Sequence, residues 1–124
     1  MTLGALTELQ LSLMKALWSL GEATVADVLE ALRGQGLELA PTTVATLLQR
    51  LSKQGWVKHR KSGRIFLYRA KVEQRDAARG ALQRLVSSFF GGSASALTAQ
   101  LLDSEELSSE TLAEMRRLID DKRS

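Results

Sequence analysis

The chain has no cysteine, a single histidine and a single proline in 124 residues. Without cysteine there are no disulfides, thiolate metal sites or thiol nucleophiles, and one histidine cannot build a histidine metal cage. Redox and zinc chemistry are thereby excluded, and no cofactor or metal is expected. No apolar run approaches the roughly 18 to 20 residues that a membrane span requires. The opening MTLGALTELQ also lacks the basic, apolar and small-residue order of a secretion signal. The expected location is the cytoplasm, without membrane insertion. Catalytic constellations are missing too. His59 lies in a basic stretch without a partnering acid or nucleophile, and Ser87, Ser88, Ser93 and Ser95 surround helix ends and a Gly-Gly turn, where capping explains them. The chain is not expected to be an enzyme.

What is present is an uneven distribution of charge. The net charge is only +3, yet from Arg50 to Lys71 there are eight basic residues and no acidic one, whereas Asp103 to Asp121 holds seven of the 14 carboxylates. The middle of the chain is suited to an anion. A solvated basic face without a ligand is the ordinary alternative, and the surrounding elements decide between the two.

Those elements follow from periodicity and punctuation. Thr7-Glu8-Leu9-Gln10 fits a capping box, with Leu6 and Leu11 as its staple, and opens a helix to about Leu20. Its inner stripe is Leu6, Leu9, Leu13, Leu17 and Leu20, with Trp18 beside them, and Gly21 ends it. Thr24 caps a second helix ending near Gly34, whose stripe is Val25, Val28, Leu29 and Leu32. Pro41 suits the first position of a third helix over 41–54, closed by Gly55. With Val44, Leu47, Leu48 and Leu51 inside, the outer face carries Thr42, Thr46, Gln49 and Lys53, flanked by Thr43, Ala45 and Arg50. That face is short, polar and free of carboxylates.

After Gly55 the pattern changes to two β-prone runs, Trp56–Arg60 and Ile65–Arg69, separated by a basic tip, Lys61-Ser62-Gly63-Arg64. Both faces of this hairpin carry apolar residues, so the first helix should cover part of it. Trp56 and Tyr68 read as packing residues. Three helices and a two-stranded wing make a winged helix-turn-helix in 1–71. A mainly helical tail follows in 72–124, with helices over 72–90, 94–102 and 109–121, broken at Gly91-Gly92-Ser93 and capped at Ser108. Leu82, Leu85, Phe89, Leu97, Leu101, Leu112, Met115 and Ile119 lie on apolar stripes too large for these pieces to hide alone. Burial between two copies of the chain in a symmetric homodimer is the economical solution.

A helix with this outer face suits the major groove of double-stranded DNA, where phosphates crowd both rims. Gln49 can make a bidentate contact to adenine, the threonines can meet phosphates, base edges or thymine methyls, and Arg50 and Lys53 can anchor to the backbone. Arg60, Lys61 and Arg64 in the wing would take flanking phosphates or enter the minor groove. Two other readings are a protein-docking winged helix and a repressor with a small-molecule effector. The first would be expected to show an apolar anchor on the third helix.

Three stretches, LTELQLSLMKALW, APTTVATLLQRLSKQGWVKHRKSGRIFLYRA and FFGGSASALTAQLLDSEELSSETLAEMRRLID, in this order and spacing, resemble the penicillinase repressor family of BlaI/MecI/CopY type. The resemblance implies a dimeric repressor with interlocking C-terminal helices, acting on β-lactam resistance, cell-wall stress or metal-homeostasis promoters. It supports Thr43, Thr46 and Arg50 as DNA contacts. Thr42 and Ala45 replace a lysine and an arginine of the staphylococcal-type members, so a TACA/TGTA-type operator is not carried over. The copper-sensing branch needs a cysteine-rich tail and is excluded. In the penicillinase branch a membrane metalloprotease sensor, or its downstream signal, leads to a cut in the fifth helix. The corresponding bond is Gln100 to Leu101, without the Asn-Phe pair typical of that branch.

Overall fold

A computed structural model describes residues 4–104 and 106–124. Residues 1–3 of the opening stretch and Glu105 of the third quoted stretch lie outside the described residues. The element order is α1 (Glu8–Leu20), α2 (Val25–Gly34), α3 (Pro41–Lys53), β1 (Val57–Ser62), β2 (Ile65–Ala70), α4 (Gln74–Phe90), α5 (Ala94–Ser104) and α6 (Ser109–Arg123). The chain divides into two compact units, one ending at Ala81 and one beginning at Leu82, so the division falls inside α4.

The first unit is built from strongly punctuated helices. Thr7 caps α1 in a full capping box with Gln10, and Gly21 at φ +82° accepts the backbone turn that ends it. Thr24 and Asp27 form a second box at α2. The Thr24 backbone N–H and hydroxyl both hold the Asp27 carboxyl below its ordinary range. Proline opens α3 in place of a side-chain cap.

The core comprises Leu13, Met14, Ala16 and Leu17 of α1, Val28 and Leu32 of α2, Val44, Leu48 and Leu51 of α3, with Ala23, Trp56, Val57 and Tyr68. The stripe expected on α1 is therefore shifted. Leu20 is exposed, while Met14 and Ala16 are buried. The reason is that α1 packs against α2, α3 and β2 together, so its buried arc is wider than one stripe and stops before the last turn. Leu11, expected to close a staple at the start of α1, is likewise exposed.

The hairpin is longer and its turn tighter than the sequence suggests. Antiparallel pairing runs from Val57↔Ala70 to Ser62↔Ile65, leaving Gly63-Arg64 as a two-residue turn with Gly63 at φ +62°. Lys61 and Ser62 are thus strand residues, not part of a four-residue tip. A glycine with positive φ at the first turn position gives the backbone a twist matching that of the strands, which favours this shorter turn. Ala23 adds a one-residue third strand, exchanging bonds of 2.8 and 2.9 Å with Tyr68. Trp56 ties the ends together. Its N–H donates to the Leu51 carbonyl, its own carbonyl accepts from Lys71 N–H, both at 2.9 Å, and the Trp18 indole donates to Val72 O.

The second unit contains the end of α4, then α5 and α6. Gly91 and Gly92 both take positive φ, and Gly92 N–H donates to Val86 O at 3.0 Å to end α4. Ser108 caps α6 by accepting from Thr111 N–H. Among the described residues no single helix is long and apolar enough to cross a membrane; α4 and α5 reach that length only together, bent by 89°.

Candidate nucleic-acid interface

Pro41 starts α3 so that residues three and four apart repeat on one side, and burying Val44, Leu48 and Leu51 against α1 and α2 turns the opposite side outward. Thr42, Thr43, Thr46, Gln49, Arg50 and Lys53 are all exposed, and Ala45 is half-buried. Thr42, Thr43, Thr46, Leu47 and Arg50 line a shallow concavity of about 300 Å³. The Thr46 hydroxyl donates to the Thr42 carbonyl at 3.0 Å, so toward a ligand it presents acceptor lone pairs and a methyl group. No acidic residue occupies the first turn, and Arg50 and Lys53 make the last turn basic. Favourable placement of these cations near the helix C-terminus needs no counter-ion.

The β-ribbon has two faces set by its register. On one, Val57 and Tyr68 enter the core while His59, Lys61 and Phe66 continue outward. His59 Nδ1 and Ser52 Oγ of α3 are 3.0 Å apart, and the His59 ring lies 5.7 Å from both Phe66 and Tyr68. The ribbon is thus strapped to the end of α3 whose outer side carries Arg50 and Lys53. On the other face are Lys58, Arg60, Leu67 and Arg69. Arg60 is engaged by Glu22 through two bonds, Nε to Oε2 at 2.9 Å and Nη2 to Oε1 at 2.7 Å. The Arg60 hydrogen bond holds the Glu22 carboxyl below its ordinary value and raises the pKa of Arg60 in return. The other ion pairs among the described residues are Glu30–Arg33 and Glu114–Arg117, and neither involves Arg50, Lys53, Lys61 or Arg64.

Two features of this surface were missed by sequence reasoning. Glu22 precedes the basic segment by almost thirty positions, and only the bridge at Ala23 carries it to the ribbon. The Ser52–His59 strap joins positions seven apart. The one local hint was a small residue, Ala23, between a helix-ending glycine and the Thr24 cap.

In the second unit no residue of α5 or α6 is buried, nor is any of α4. Leu82, Leu85, Leu101, Leu112 and Ile119 are exposed, Phe89 to 80%, and Leu97 and Met115 are half-buried. Gln100 and Leu101 are both exposed and lie within α5, not in a loop.

The penicillinase repressor family model matches residues 6–121. The chain is similar to the penicillinase repressor of Bacillus licheniformis, with 24% identity over 116 residues, 94% of this chain and 90% of that protein. It is also similar to the methicillin resistance regulatory protein MecI of Staphylococcus aureus, with 26% identity over 109 residues and 88% of each covered. Among solved structures, the monomeric form of Bacillus licheniformis BlaI in complex with the blaP half-operator aligns with a TM-score of 0.50 at 28% identity, covering 60% of this chain and 90% of that one.

Proposed function

Because the chain belongs to the penicillinase repressor family, we propose that it is a DNA-binding transcriptional repressor that grips an inverted-repeat operator as a homodimer. The observation that carries this reading is the outer face of α3, polar and without a carboxylate, strapped by Ser52 and His59 to a cationic ribbon. A similar BlaI chain is described with a half-operator. Helix 41–54 would enter the major groove, with Thr42, Thr43, Ala45, Thr46 and Gln49 near base edges and Arg50 and Lys53 on the backbone. The wing, 58–64, would follow flanking phosphates, with Lys61 and Arg64 in no ion pair among the described residues. Residues 1–71 would form the DNA-binding domain and 72–124 the dimerisation domain.

Dimerisation is supported by the exposed apolar side chains of α4 to α6, which a second copy of the same surface would cover. Two half-sites held about one helical turn, or a multiple, apart would then be read together. Release by cutting between Gln100 and Leu101, in response to a membrane metalloprotease sensor, is the regulatory part of the proposal. The bond sits inside a helix, so cleavage would require α5 to open locally, which its lack of buried residues makes cheap. Losing the link between two half-site binders would remove an avidity gain of about 10² to 10⁴.

The test is selection of fragments bound by the purified full-length chain from random and genomic DNA. An enriched inverted repeat is expected. No enrichment, together with no binding to any duplex at low ionic strength, would overturn the proposal.

A further inference from the structure

The face of the ribbon that carries Lys58, Arg60 and Arg69 is organised differently from an ordinary solvated strand. Lys58 stands directly opposite Arg69 in the register, and Arg60 is opposite Leu67, diagonal to Arg69. Like charges placed directly across an antiparallel pair destabilise a sheet, so this placement opposes folding. Both residues are exposed. Glu22 reaches the same face from beside the Ala23 bridge, and Glu22, Lys58, Arg60, Leu67 and Arg69 line a concavity of about 250 Å³.

Glu22 holds Arg60 through a two-bond fork. A guanidinium engages a phosphodiester with the same planar, bidentate geometry. The pair is open to solvent, with side-chain exposures of 60% for Arg60 and 32% for Glu22, so water or a competing anion can reach it. Exposed ion pairs in general add little to stability, and the two-bond fork makes this one of the stronger kind. The segment from Arg50 to Lys71 contains no acidic residue; the fold imports one carboxylate from outside it and sets it on this arginine.

We propose that Glu22 is a built-in competitor for DNA phosphate: it occupies Arg60 in the manner a phosphodiester would, lowering the wing's affinity, while Lys58 and Arg69 beside it remain available to the backbone. The inference rests on the DNA-binding function proposed above and adds a residue that tunes it. A family of exposed cations gives binding that is uniformly tight and insensitive to sequence; an internal carboxylate restrains the non-specific part, which is the part driven by phosphate contacts. The Glu22 carboxyl, held below its ordinary range by Arg60, is ionised at neutral pH and able to compete there.

The experiment is a titration of the full-length chain against a selected duplex and an unrelated one, read by fluorescence anisotropy between about 50 and 200 mM salt. Glu22→Gln is expected to tighten binding to both duplexes and to steepen the fall of log affinity with log salt by about 0.9 per bound chain. Arg60→Gln added to that variant should abolish the gain. Lys58→Gln with Arg69→Gln should make the slope shallower by roughly 1.8 per bound chain without changing the preferred sequence. A folded Glu22→Gln chain with unchanged or weaker binding would overturn the proposal. Should that variant fail to fold, Arg60→Gln alone decides: a slope near that of the unmodified chain supports the competitor role, and a loss of about 0.9 per bound chain overturns it, because Arg60 would already carry a phosphate. If the unmodified chain binds no duplex, the DNA-binding function itself fails, and the inference with it. If it binds and the slopes do not move, only the role of Glu22 is lost.

Discussion

The two units of this chain have similar apolar sequence patterns and opposite fates. The first buries thirteen residues, drawn from three helices, both strands and two connections, whereas no helix residue of the second is buried among the described residues. Leu48 and Phe89 illustrate the contrast: both sit on helical stripes, yet one is 0% exposed and the other 80%. An apolar stripe reports that a face must be covered, and it does not say by what. In the first unit the covering elements follow in sequence. In the second they are proposed to come from another copy.

Substitutions in the two units should therefore fail in different ways. Leu48→Ala is expected to destabilise the first unit by about 2–5 kcal/mol, measured by denaturant unfolding. Phe89→Ala should leave that unfolding transition intact and instead weaken self-association by about 30-fold, as loss of a ~2 kcal/mol anchor would. Sedimentation of the variant across a concentration series reads this directly, and an unchanged association constant would remove Phe89 from the interface. Arg50→Ala and Thr46→Ala sharpen the contrast from the other side. Each is expected to cost about 1–3 kcal/mol in operator binding while sedimentation shows the same dimer. Monomers in either variant would break the proposed division of labour.

The smallest expected effect concerns acid. Asp27 titrates below its ordinary 3.8 in the folded chain because the Thr24 backbone N–H and hydroxyl bond the ionised form. A depressed carboxyl pKa adds stability above the unfolded pKa, and that contribution is lost as pH falls through the folded value. Below about pH 4 the first unit should weaken, and Asp27→Asn should flatten that part of the profile. Thermal unfolding of the two proteins at neutral and acidic pH measures it, with identical profiles counting against the cap.

Much of this was legible in the sequence because local chemistry matched the fold. Thr7 with Gln10, Gly21, Thr24, Pro41 and Gly55 mark helix ends by their own bonding and φ preferences, and the structure uses each at a helix boundary. The outward residues of α3 follow once Val44 is placed inside. What was not legible depends on contacts distant in sequence. Leu20 shares a direction with Leu13 and Leu17 but lies beyond the packed part of α1, and Met14 is buried because α1 meets several elements at once. The length of the hairpin turned on one glycine's φ, which allows a two-residue turn inside a run that composition alone presents as a basic loop. Glu22 was hidden for the same reason. Its charge looks like part of a helix connection until the Ala23–Tyr68 bridge sets it beside Arg60, 38 positions away.

The claim that organises the molecule is that α3 and the ribbon form one surface for duplex DNA. Its most direct measurement is hydrogen exchange of the full-length chain with and without a selected duplex. Added protection is expected to concentrate in α3 and in the ribbon around Lys61 to Arg64, with α6 unchanged. Protection confined to α4–α6, or none at a concentration where the duplex is bound, would contradict it.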